Sequence, residues 1–464
     1  MRVVLADLHG REGFVSKDTI VGGYGSRLTP FSRVTTVISK IKRRFHDVLS
    51  VQMAYLAALA ARAGHEVVFT RDELVAGDVA VVLSSLVDYR HEAAWATAMR
   101  ARGVTVGFVG LAASRLPELF ESAADFVVIG EPEEAIGRLF AGERLTGRVS
   151  SPEVRDLDSL PFPRWDLLNQ RQPMMRLPTM PRPLRGGIPV LASRSCPEFC
   201  TYCPHRILSS YRSRSVASIA DELELLCERF PRPYVIFRDP LFTQDRERCL
   251  ALADEIQARG LRFRFECETR LDRLDPALID RLHAAGLRTM SFGVESSSDV
   301  ILRKVARRPI PADHQRAVIE QCRRLGIATA AFYVIGFLHD DWESIATTIA
   351  YAAELGSTFA QFKVLTPYPG TALWKQMSHL VYETDWQKFD GYTLTFTHPT
   401  LSAGELRFLL GAAFSRFYMR PSWVDGYLNI RSSRISDYLR RLDGRVYARQ
   451  ARQEIALMSR AVQC

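Results

Sequence analysis

Long apolar runs and early cysteines are both absent from this chain of 464 residues. No apolar stretch reaches the roughly 18 residues that a membrane-spanning helix needs, so we predict no such span. The chain starts on a strand-like segment, residues 3–6, without the basic and apolar regions of a secretion signal, and we therefore expect a cytoplasmic protein. Eight cysteines are too few for a disulfide scaffold at this length, which excludes the small disulfide-rich secreted classes.

The charge balance is only moderately basic, with a formal net charge of +9 and one dense basic run at residues 40–44. We interpret that run as a solvated segment rather than a polyanion site, so no stable nucleic-acid complex is expected. Hydrophobic residues make up 47% and charged residues 24% of the chain, which is typical of a globular protein. The length exceeds what one hydrophobic core usually supports, so two or three domains are predicted.

Residues 1–145 alternate between strand-like and helix-like segments. Residues 79–83 form a short continuous apolar run, which is typical of a strand covered on both faces. Residues 51–63 have helical spacing and end at Gly64, a residue type that commonly terminates helices. We therefore predict an α/β domain with a doubly wound, Rossmann-like sheet, which binds ligands at the carboxyl ends of its strands.

Three further regions are predicted after this domain. Residues 146–187 are rich in proline and have the composition of a linker. Residues 188–375 contain six strand candidates separated by helix-like segments, which predicts a (βα)6 partial TIM barrel with its chemistry at the carboxyl-end loops. Residues 376–464 are expected to form a small, mainly helical C-terminal region.

The segment 11–47 is longer than a normal βα loop, and we interpret it as either a functional lid or a disordered arm.

Cys196, Cys200 and Cys203 lie within eight residues of one another, and no cysteine precedes them. Their thiolates could cap three corners of a cubane iron–sulfur cluster and leave the fourth iron open to a small molecule. Zinc is the alternative, but a structural zinc site needs a fourth ligand. The nearest candidate for that ligand is His205, which only Pro204 separates from Cys203.

The Cys-x3-Cys-x-aromatic-Cys pattern, with Tyr202 as the aromatic residue, resembles the radical SAM superfamily. The resemblance implies a 4Fe-4S cluster whose open iron chelates S-adenosylmethionine (SAM). It also implies reductive cleavage of SAM to a 5′-deoxyadenosyl radical that abstracts hydrogen from a substrate. The electron for this cleavage would come from a flavodoxin or ferredoxin.

The resemblance also assigns a SAM site at the ends of the later strands. Asp239 would accept a hydrogen bond from the amino group of SAM, because a charge-assisted hydrogen bond between a carboxylate and an ammonium is strong. Glu295 would bind the ribose hydroxyls. Adenine would meet Gly336 and Phe337, while the methionyl carboxylate would meet Arg270 or Arg303. The cofactor contacts implied in this half of the chain are thus Tyr202, Asp239, Arg270, Glu295, Gly336 and Phe337.

The first domain resembles the cobalamin-binding domain of one branch of that superfamily. Asp7 and His9 match part of its Asp-x-His-x-x-Gly motif, with Glu12 in place of the glycine. His9 is therefore either a cobalt ligand or an ordinary strand-end histidine. Residues 365–371 also resemble a segment of this branch. The cobalamin contacts implied are Asp7, His9, Ser84, Leu86, Gly110, Gly130 and Glu131.

The resemblance implies that the protein methylates an unactivated carbon of a small or lipid-like metabolite, with methylcobalamin as the methyl donor. A cobalamin-dependent cyclisation or rearrangement without methyl transfer is the rival within the branch. An electron-carrying iron–sulfur protein is the rival from another class. The methylthiotransferases are disfavoured because they carry a second cysteine cluster in their N-terminal domain, and this chain has no cysteine before residue 196.

Overall fold

The computed structural model describes residues 1–10, 14–17, 23–30, 35–36, 38–40, 48–168, 174–175, 184–185 and 187–420. Several predictions from the sequence lie outside these residues. They concern Glu12, most of the 11–47 segment, the basic residues 41–44, much of the proline-rich linker and the last part of the chain from residue 421.

The N-terminal half is built on a parallel six-stranded sheet in the order β4-β1-β5-β6-β7-β8. Its strands, with a separate β2–β3 hairpin, are β1 (Arg2–Ala6), β2 (Phe14–Ser16), β3 (Ser26–Leu28), β4 (Glu66–Thr70), β5 (Val79–Leu83), β6 (Thr105–Val109), β7 (Phe126–Gly130) and β8 (Gly147–Ser151). The helices of this half are α1 (Val51–Arg62), α2 (Tyr89–Arg100), α3 (Leu111–Arg115) and α4 (Pro132–Phe140).

Both faces of this first sheet are buried. Val3 and Leu5 belong to one hydrophobic core together with α1, whereas Val4 and Ala6 belong to a second core together with α2. This alternation follows from the two-residue period of a strand. Because β4 and β5 pair with opposite edges of β1, the chain changes direction beside β1, and α/β sheets bind ligands at such a point.

The second half contains another parallel six-stranded sheet, in the sequential order β11-β14-β15-β16-β17-β18. The strands and short hairpins are β9 (Met174–Met175), β10 (Leu184–Arg185), β11 (Ile188–Val190), β12 (Ser193–Arg194), β13 (Arg212–Ser213), β14 (Tyr234–Phe237), β15 (Arg264–Thr269), β16 (Leu287–Glu295), β17 (Ala328–Ile335) and β18 (Phe359–Val364). The intervening helices are α5 (Val216–Arg229), α6 (Arg246–Ala258), α7 (Pro276–Ala284), α8 (Asp299–Lys304), α9 (Ala312–Arg324) and α10 (Trp342–Leu355).

The two faces of the second sheet differ in polarity. Along β15, Phe265 and Cys267 are buried in the core, while Glu266 and Glu268 are only partly buried. Tyr234 of β14 donates to Glu266 from the same polar face, at 3.0 Å. The predicted α/β class with parallel sheets is confirmed in both halves of the chain.

The C-terminal region contains less helix than predicted over the part that the structure describes. It has α11 (Ala372–Met377) and α12 (Ala403–Tyr418), with only short 3-10 turns between them. In one of these turns Trp386 packs at a tilted angle beside Phe389, with ring centroids 4.7 Å apart. Among the described residues, no helix is both long and apolar enough to cross a membrane.

Candidate active site

The three cysteines lie in the loop between β12 and β13, which follows the carboxyl end of β11. Ser195 begins this loop with a left-handed φ of 65°, and its hydroxyl donates to the carbonyl of His205 at 3.0 Å. The Cys203 amide donates to the Cys200 carbonyl at 3.2 Å, while the Thr201 amide donates to the Val305 carbonyl at 3.0 Å. The loop is thus folded back on itself and held against the end of α8.

The chemistry of the three thiols fits an iron–sulfur cluster. Burial raises the pKa of Cys196, and it raises the pKa of Cys203 to about 12, so thiolates here need positive charge beside them. The irons of a cluster would supply that charge. Within the described ranges no three His, Cys, Asp or Glu side chains lie close enough to share one metal ion. A cubane instead binds each cysteine to a different iron.

Arg307 connects the cysteine loop to the end of β16, although the sequence did not single it out. Its guanidinium lies 3.7 Å from the Cys200 sulfur and 3.6 Å from the Glu295 carboxylate, and it donates to the Gly293 carbonyl. Glu295 has a left-handed φ of 68°. A Cβ on Gly293 would lie 2.1 Å from the Glu295 carboxylate, so a larger residue there would displace that carboxylate. No sequence signal separates Arg307 from the neighbouring Arg308, because only burial distinguishes them.

Two predicted SAM contacts meet beside the same loop. The Tyr202 ring lies edge-on to Phe337, with ring centroids 5.7 Å apart. Phe337 is fully buried, and its carbonyl accepts a hydrogen bond from His398 at 2.8 Å. Gly336 has a left-handed φ of 79°, and a Cβ there would lie 3.0 Å from Leu406 of α12. The C-terminal helix therefore covers the predicted adenine contact.

Arg270 is the better placed of the two candidates for the methionyl carboxylate. It is buried, and its Nε and Nη2 atoms each lie 3.0 Å from the Asp272 carboxylate. Within the described part of the chain its buried Nη1 atom has no hydrogen-bond partner. An unpaired guanidinium N–H in this position fits a carboxylate ligand. Arg303 instead lies on the exposed face of α8, paired with Asp299 at 3.4 Å.

Asp239 has both carboxylate oxygens occupied by the protein. They accept hydrogen bonds from the Ala192 amide at 3.0 Å and the Ser193 hydroxyl at 2.5 Å. Burial raises the pKa of this carboxyl group. Asp239 thus holds the start of the cysteine hairpin, and its contact with the SAM amino group stays a prediction. The preceding residue, Arg238, pairs with Glu268 at 2.8 Å, a charged pair on the polar face that sequence reasoning missed.

Small residues gather at the carboxyl ends of the first sheet, as predicted. The Ser84 hydroxyl donates to the Val109 carbonyl at 2.8 Å and accepts from the Ala113 amide at 2.9 Å. Gly110 and Gly130 have left-handed φ values of 108° and 115°. A Cβ on Gly130 would lie only 1.9 Å from a neighbouring backbone carbonyl oxygen. The lack of a side chain at Gly110 and Gly130 would let a large flat ligand approach the backbone closely.

Asp7 and His9 form a separate cluster with Arg71. The Asp7 carboxylate lies 3.1 Å from Arg71 and 3.4 Å from His9 Nε2, and His9 Nε2 is 2.5 Å from Arg71. Burial opposes ionisation of Asp7, but Arg71 and His9 outweigh it and hold the pKa of Asp7 well below its usual range. His9 Nε2 therefore has protein partners, as an ordinary strand-end histidine would, and cobalt ligation stays a prediction.

Glu131 and Leu86 have partners inside the protein that the sequence did not reveal. The buried Glu131 carboxylate lies 2.6 Å from Arg212 and 3.2 Å from Arg194, on the two strands of the cysteine hairpin. Leu86 is buried, and its amide donates to the Tyr24 carbonyl at 2.9 Å. Their cobalamin contacts stay predictions, because strand-end position alone does not tell which neighbour covers a residue.

The protein family whose model matches residues 190–352 is described as the radical SAM superfamily. The matched segment, residues 190–352, is a radical SAM domain. The match begins just before the cysteine loop and ends within α10. The radical SAM core predicted from the sequence is confirmed over these residues, and the cobalamin-binding role of the first domain stays a prediction.

Curated relatives of this chain include two enzyme types. An uncharacterised methyltransferase of Pyrococcus horikoshii is 26% identical over 322 residues, which are 64% of this chain and 68% of that protein. The anaerobic magnesium-protoporphyrin IX monomethyl ester cyclase of Cereibacter sphaeroides is 26% identical over 286 residues. That match covers 61% of this chain but only 46% of the cyclase.

Two similar solved structures share the fold of both halves. The radical SAM methyltransferase TsrM from Kitasatospora setae, solved with cobalamin and a 4Fe-4S cluster, has a TM-score of 0.59 and 16% identity, covering 82% of this chain and 78% of that one. The cobalamin-dependent SAM radical enzyme OxsB, solved with aqua-cobalamin, has a TM-score of 0.66 and 14% identity. It covers 96% of this chain and 71% of the other.

Proposed function

We propose that this protein is a cobalamin-dependent radical SAM enzyme that methylates an unactivated carbon of a small or lipid-like metabolite. The observation that carries the proposal is the contact between the cysteine loop and the carboxyl ends of the first sheet. Arg115 of α3, which follows β6, donates to the Ile207 carbonyl in that loop. Glu131, which follows β7, pairs with Arg194 directly before the loop. These contacts support the proposal, because methyl transfer requires the two cofactor sites to lie side by side.

Different residues around this junction would bind each of the three cofactors. Cys196, Cys200 and Cys203 would bind the cluster. Arg270 would orient the SAM carboxylate, and the strand ends at Ser84, Gly110 and Gly130 would cradle cobalamin. When bound, the cluster and SAM supply one-electron hydrogen abstraction, and cobalamin supplies methyl transfer.

We also propose the finer architecture that the sequence predicted. Residues 1–145 would act as the cobalamin-binding unit, residues 188–375 as a partial-barrel SAM unit, and residues 376–464 as a cover. The packing of α12 over Gly336 supports the last assignment.

Cyclisation or rearrangement without methyl transfer is the second candidate function, and the match to the cyclase favours it. The two functions differ in how SAM is consumed. Methyl transfer produces both 5′-deoxyadenosine and S-adenosylhomocysteine, because one SAM supplies the radical and another the methyl group. Cyclisation yields 5′-deoxyadenosine without S-adenosylhomocysteine.

The first test is anaerobic reconstitution with iron, sulfide and hydroxocobalamin, followed by an absorption spectrum and assays of both cofactors. We expect about four irons and one cobalamin per chain. The Cys200→Ser variant should lose iron and keep cobalamin, because the two sites use different residues. A wild-type protein that binds the cluster but no cobalamin would remove the methyltransferase assignment and leave radical chemistry alone.

A further inference from the structure

One large apolar side chain of the cysteine loop is exposed to solvent. Phe199 lies between Cys196 and Cys200 and is 70% exposed, more than any other large hydrophobic side chain among the described residues. Burial of a phenylalanine side chain favours folding, so its exposure here forgoes stabilisation. The guanidinium carbon of Arg206 lies 3.6 Å from the centre of its ring.

The helix that supports the cysteine loop exposes a second apolar side chain. Val300 of α8 is 63% exposed, whereas Ile301 and Leu302 beside it are buried. The chain just after α8 is fixed to the cysteine loop by the hydrogen bond from Thr201 to Val305, at 3.0 Å. Two exposed apolar groups therefore belong to neighbouring elements next to the cluster ligands.

Positive charge surrounds these groups. The exposed side chains Arg206, Arg303, Lys304 and Arg308 all belong to the cysteine loop or to α8 and the residues that follow it. Asp299 is the exposed acid of α8. The other nearby carboxylates are largely buried in ion pairs: Glu198 with Arg273, and Asp272 with Arg270 and Arg308. The surface beside the cysteines therefore carries net positive charge.

We propose that this surface, formed by Phe199, Arg206, Val300, Arg303, Lys304 and Arg308, is the docking site of an acidic one-electron carrier protein such as a flavodoxin. Positive charge attracts an acidic partner and accelerates encounter, and small apolar contacts with charged rims suit short-lived redox complexes. The carrier loses one electron and the oxidised cluster gains it, with no bond made or broken. The inference rests on the proposed function, because only reductive SAM cleavage requires such an electron.

The test uses the reconstituted holoenzyme and compares two reductants, reduced flavodoxin and dithionite. The product measured is 5′-deoxyadenosine formed from SAM, at increasing concentrations of potassium chloride. With flavodoxin, the wild-type rate should fall as salt rises, because the attraction is screened. The Arg206→Glu/Lys304→Glu double variant should lower kcat/KM for flavodoxin at least about tenfold, mainly by raising KM. With dithionite, a small reductant that needs no docking site, its rate should match the wild type.

Two single variants and one control complete the design. Phe199→Ser should weaken flavodoxin-driven turnover alone, since it removes the apolar contact. Lys304→Glu lies outside the cysteine loop and keeps the test valid if the double variant fails to hold its cluster. Arg62→Glu, exposed at the end of α1, should change neither rate.

The outcomes separate the surface from the function. Flavodoxin-driven rates that are insensitive to salt and unchanged in the Lys304→Glu variant would overturn the docking site. Inhibition by RNA, together with unchanged flavodoxin-driven rates in the variants, would assign the basic surface to nucleic acid. That result would also overturn the docking site. If wild-type protein forms no 5′-deoxyadenosine even with dithionite, the proposed function fails instead.

Discussion

Buried arginines organise the chemistry around the cysteines. Arg270 leaves one donor unpaired, Arg307 joins Cys200 to Glu295, and Arg194 joins the hairpin to the first half of the chain. Each is buried and paired with at least one carboxylate, and removing one partner of such a pair costs far more than at the surface. Individual substitutions here should therefore have large and specific effects.

Arg270→Lys tests the carboxylate contact at the residue scale. The lysine keeps the charge but loses the forked donors, so we expect SAM binding to weaken about tenfold or more. Asp272 keeps its pairing with Arg308, which protects the local fold. The measurement is equilibrium binding of SAM to the reconstituted protein, with Arg303→Lys on the exposed face of α8 as the matched control. Equal affinities for both variants would remove Arg270 from the site.

The buried carboxyl group of Asp340 predicts how the stability of the protein depends on pH. Burial raises its pKa from 3.8 to about 6, while hydrogen bonds from Ser344 and the Phe337 amide act against the shift. The folded protein binds this proton more tightly than the unfolded chain. The contribution of Asp340 to the free energy of unfolding is therefore fully present below pH 3.8 and is lost as pH rises through 6. The loss is on the order of 3 kcal/mol.

The Asp340→Asn variant should lose that dependence and be more stable than the wild type at about pH 8, with little difference near pH 4. Urea unfolding at both pH values measures it. Asp313→Asn, at a fully exposed position on α9, serves as control and should show no such pattern. Parallel curves for wild type and Asp340→Asn would show that Asp340 does not titrate in this range.

At the scale of elements, the β12–β13 hairpin is held by the first half of the chain. Arg194 pairs with Glu133 at 2.6 Å as well as with Glu131, and its guanidinium lies 5.2 Å from the centre of the Tyr55 ring. Arg212, opposite Arg194 across the hairpin, also pairs with Glu131. Both strands that bracket the cysteine loop are therefore fixed to α4 and the residue before it.

Arg194→Gln should loosen that hairpin. It leaves the buried Glu133 without its arginine, which typically costs about 3–5 kcal/mol. We expect faster hydrogen–deuterium exchange in residues 195–211 of the cofactor-free protein and lower iron retention after reconstitution. Arg138→Gln is the control, because Arg138 forms only exposed pairs on the same helix α4 and should cost under about 1 kcal/mol.

The double variant Arg194→Met/Glu133→Gln should recover much of the loss, because it removes the unpaired charge together with its partner. Exchange rates in residues 195–211 that do not change in Arg194→Gln would show that the hairpin needs no such support.

At the scale of the whole molecule, one residue of the 11–47 segment joins the two halves. The Tyr24 hydroxyl donates to the Pro369 carbonyl at 2.5 Å, and its ring stacks on Tyr368 at 5.2 Å. Its own carbonyl accepts from the Leu86 amide after β5. Tyr24 thus lies across the junction, while the interpretation of the whole segment as a functional lid or a disordered arm stays a prediction.

Tyr24→Ala should weaken the contact between the two halves more than Tyr24→Phe does. The phenylalanine loses only a hydrogen bond, worth about 1 kcal/mol, while alanine also loses the stacked ring. Hydrogen exchange of residues 366–371 measures the difference. Tyr382→Phe, at an exposed tyrosine that donates to the Leu394 carbonyl, is the control and should leave that segment unchanged.

Much of the architecture follows from local pattern. The predicted strand 79–83 agrees with β5 at both ends, because a continuous run of apolar residues defines a strand locally. The cysteine spacing was sufficient to predict the family, since the ligands of one cluster must lie close together in the loop. Glycine residues in the sequence were sufficient to predict the strand ends. At those ends a left-handed φ or a nearby backbone carbonyl leaves no room for a side chain.

The partners of charged residues were decided by the tertiary structure alone. Glu131 reads as a strand-end contact in the sequence, yet it pairs with an arginine 81 residues away. Arg307 resembles its exposed neighbours until the cysteine loop packs against it. Hydrophobic periodicity reports which face of an element is buried, but not which distant element covers it. The sequence by itself therefore determined the elements, the cluster motif and the family, while packing between the two sheets decided which polar groups meet at the junction.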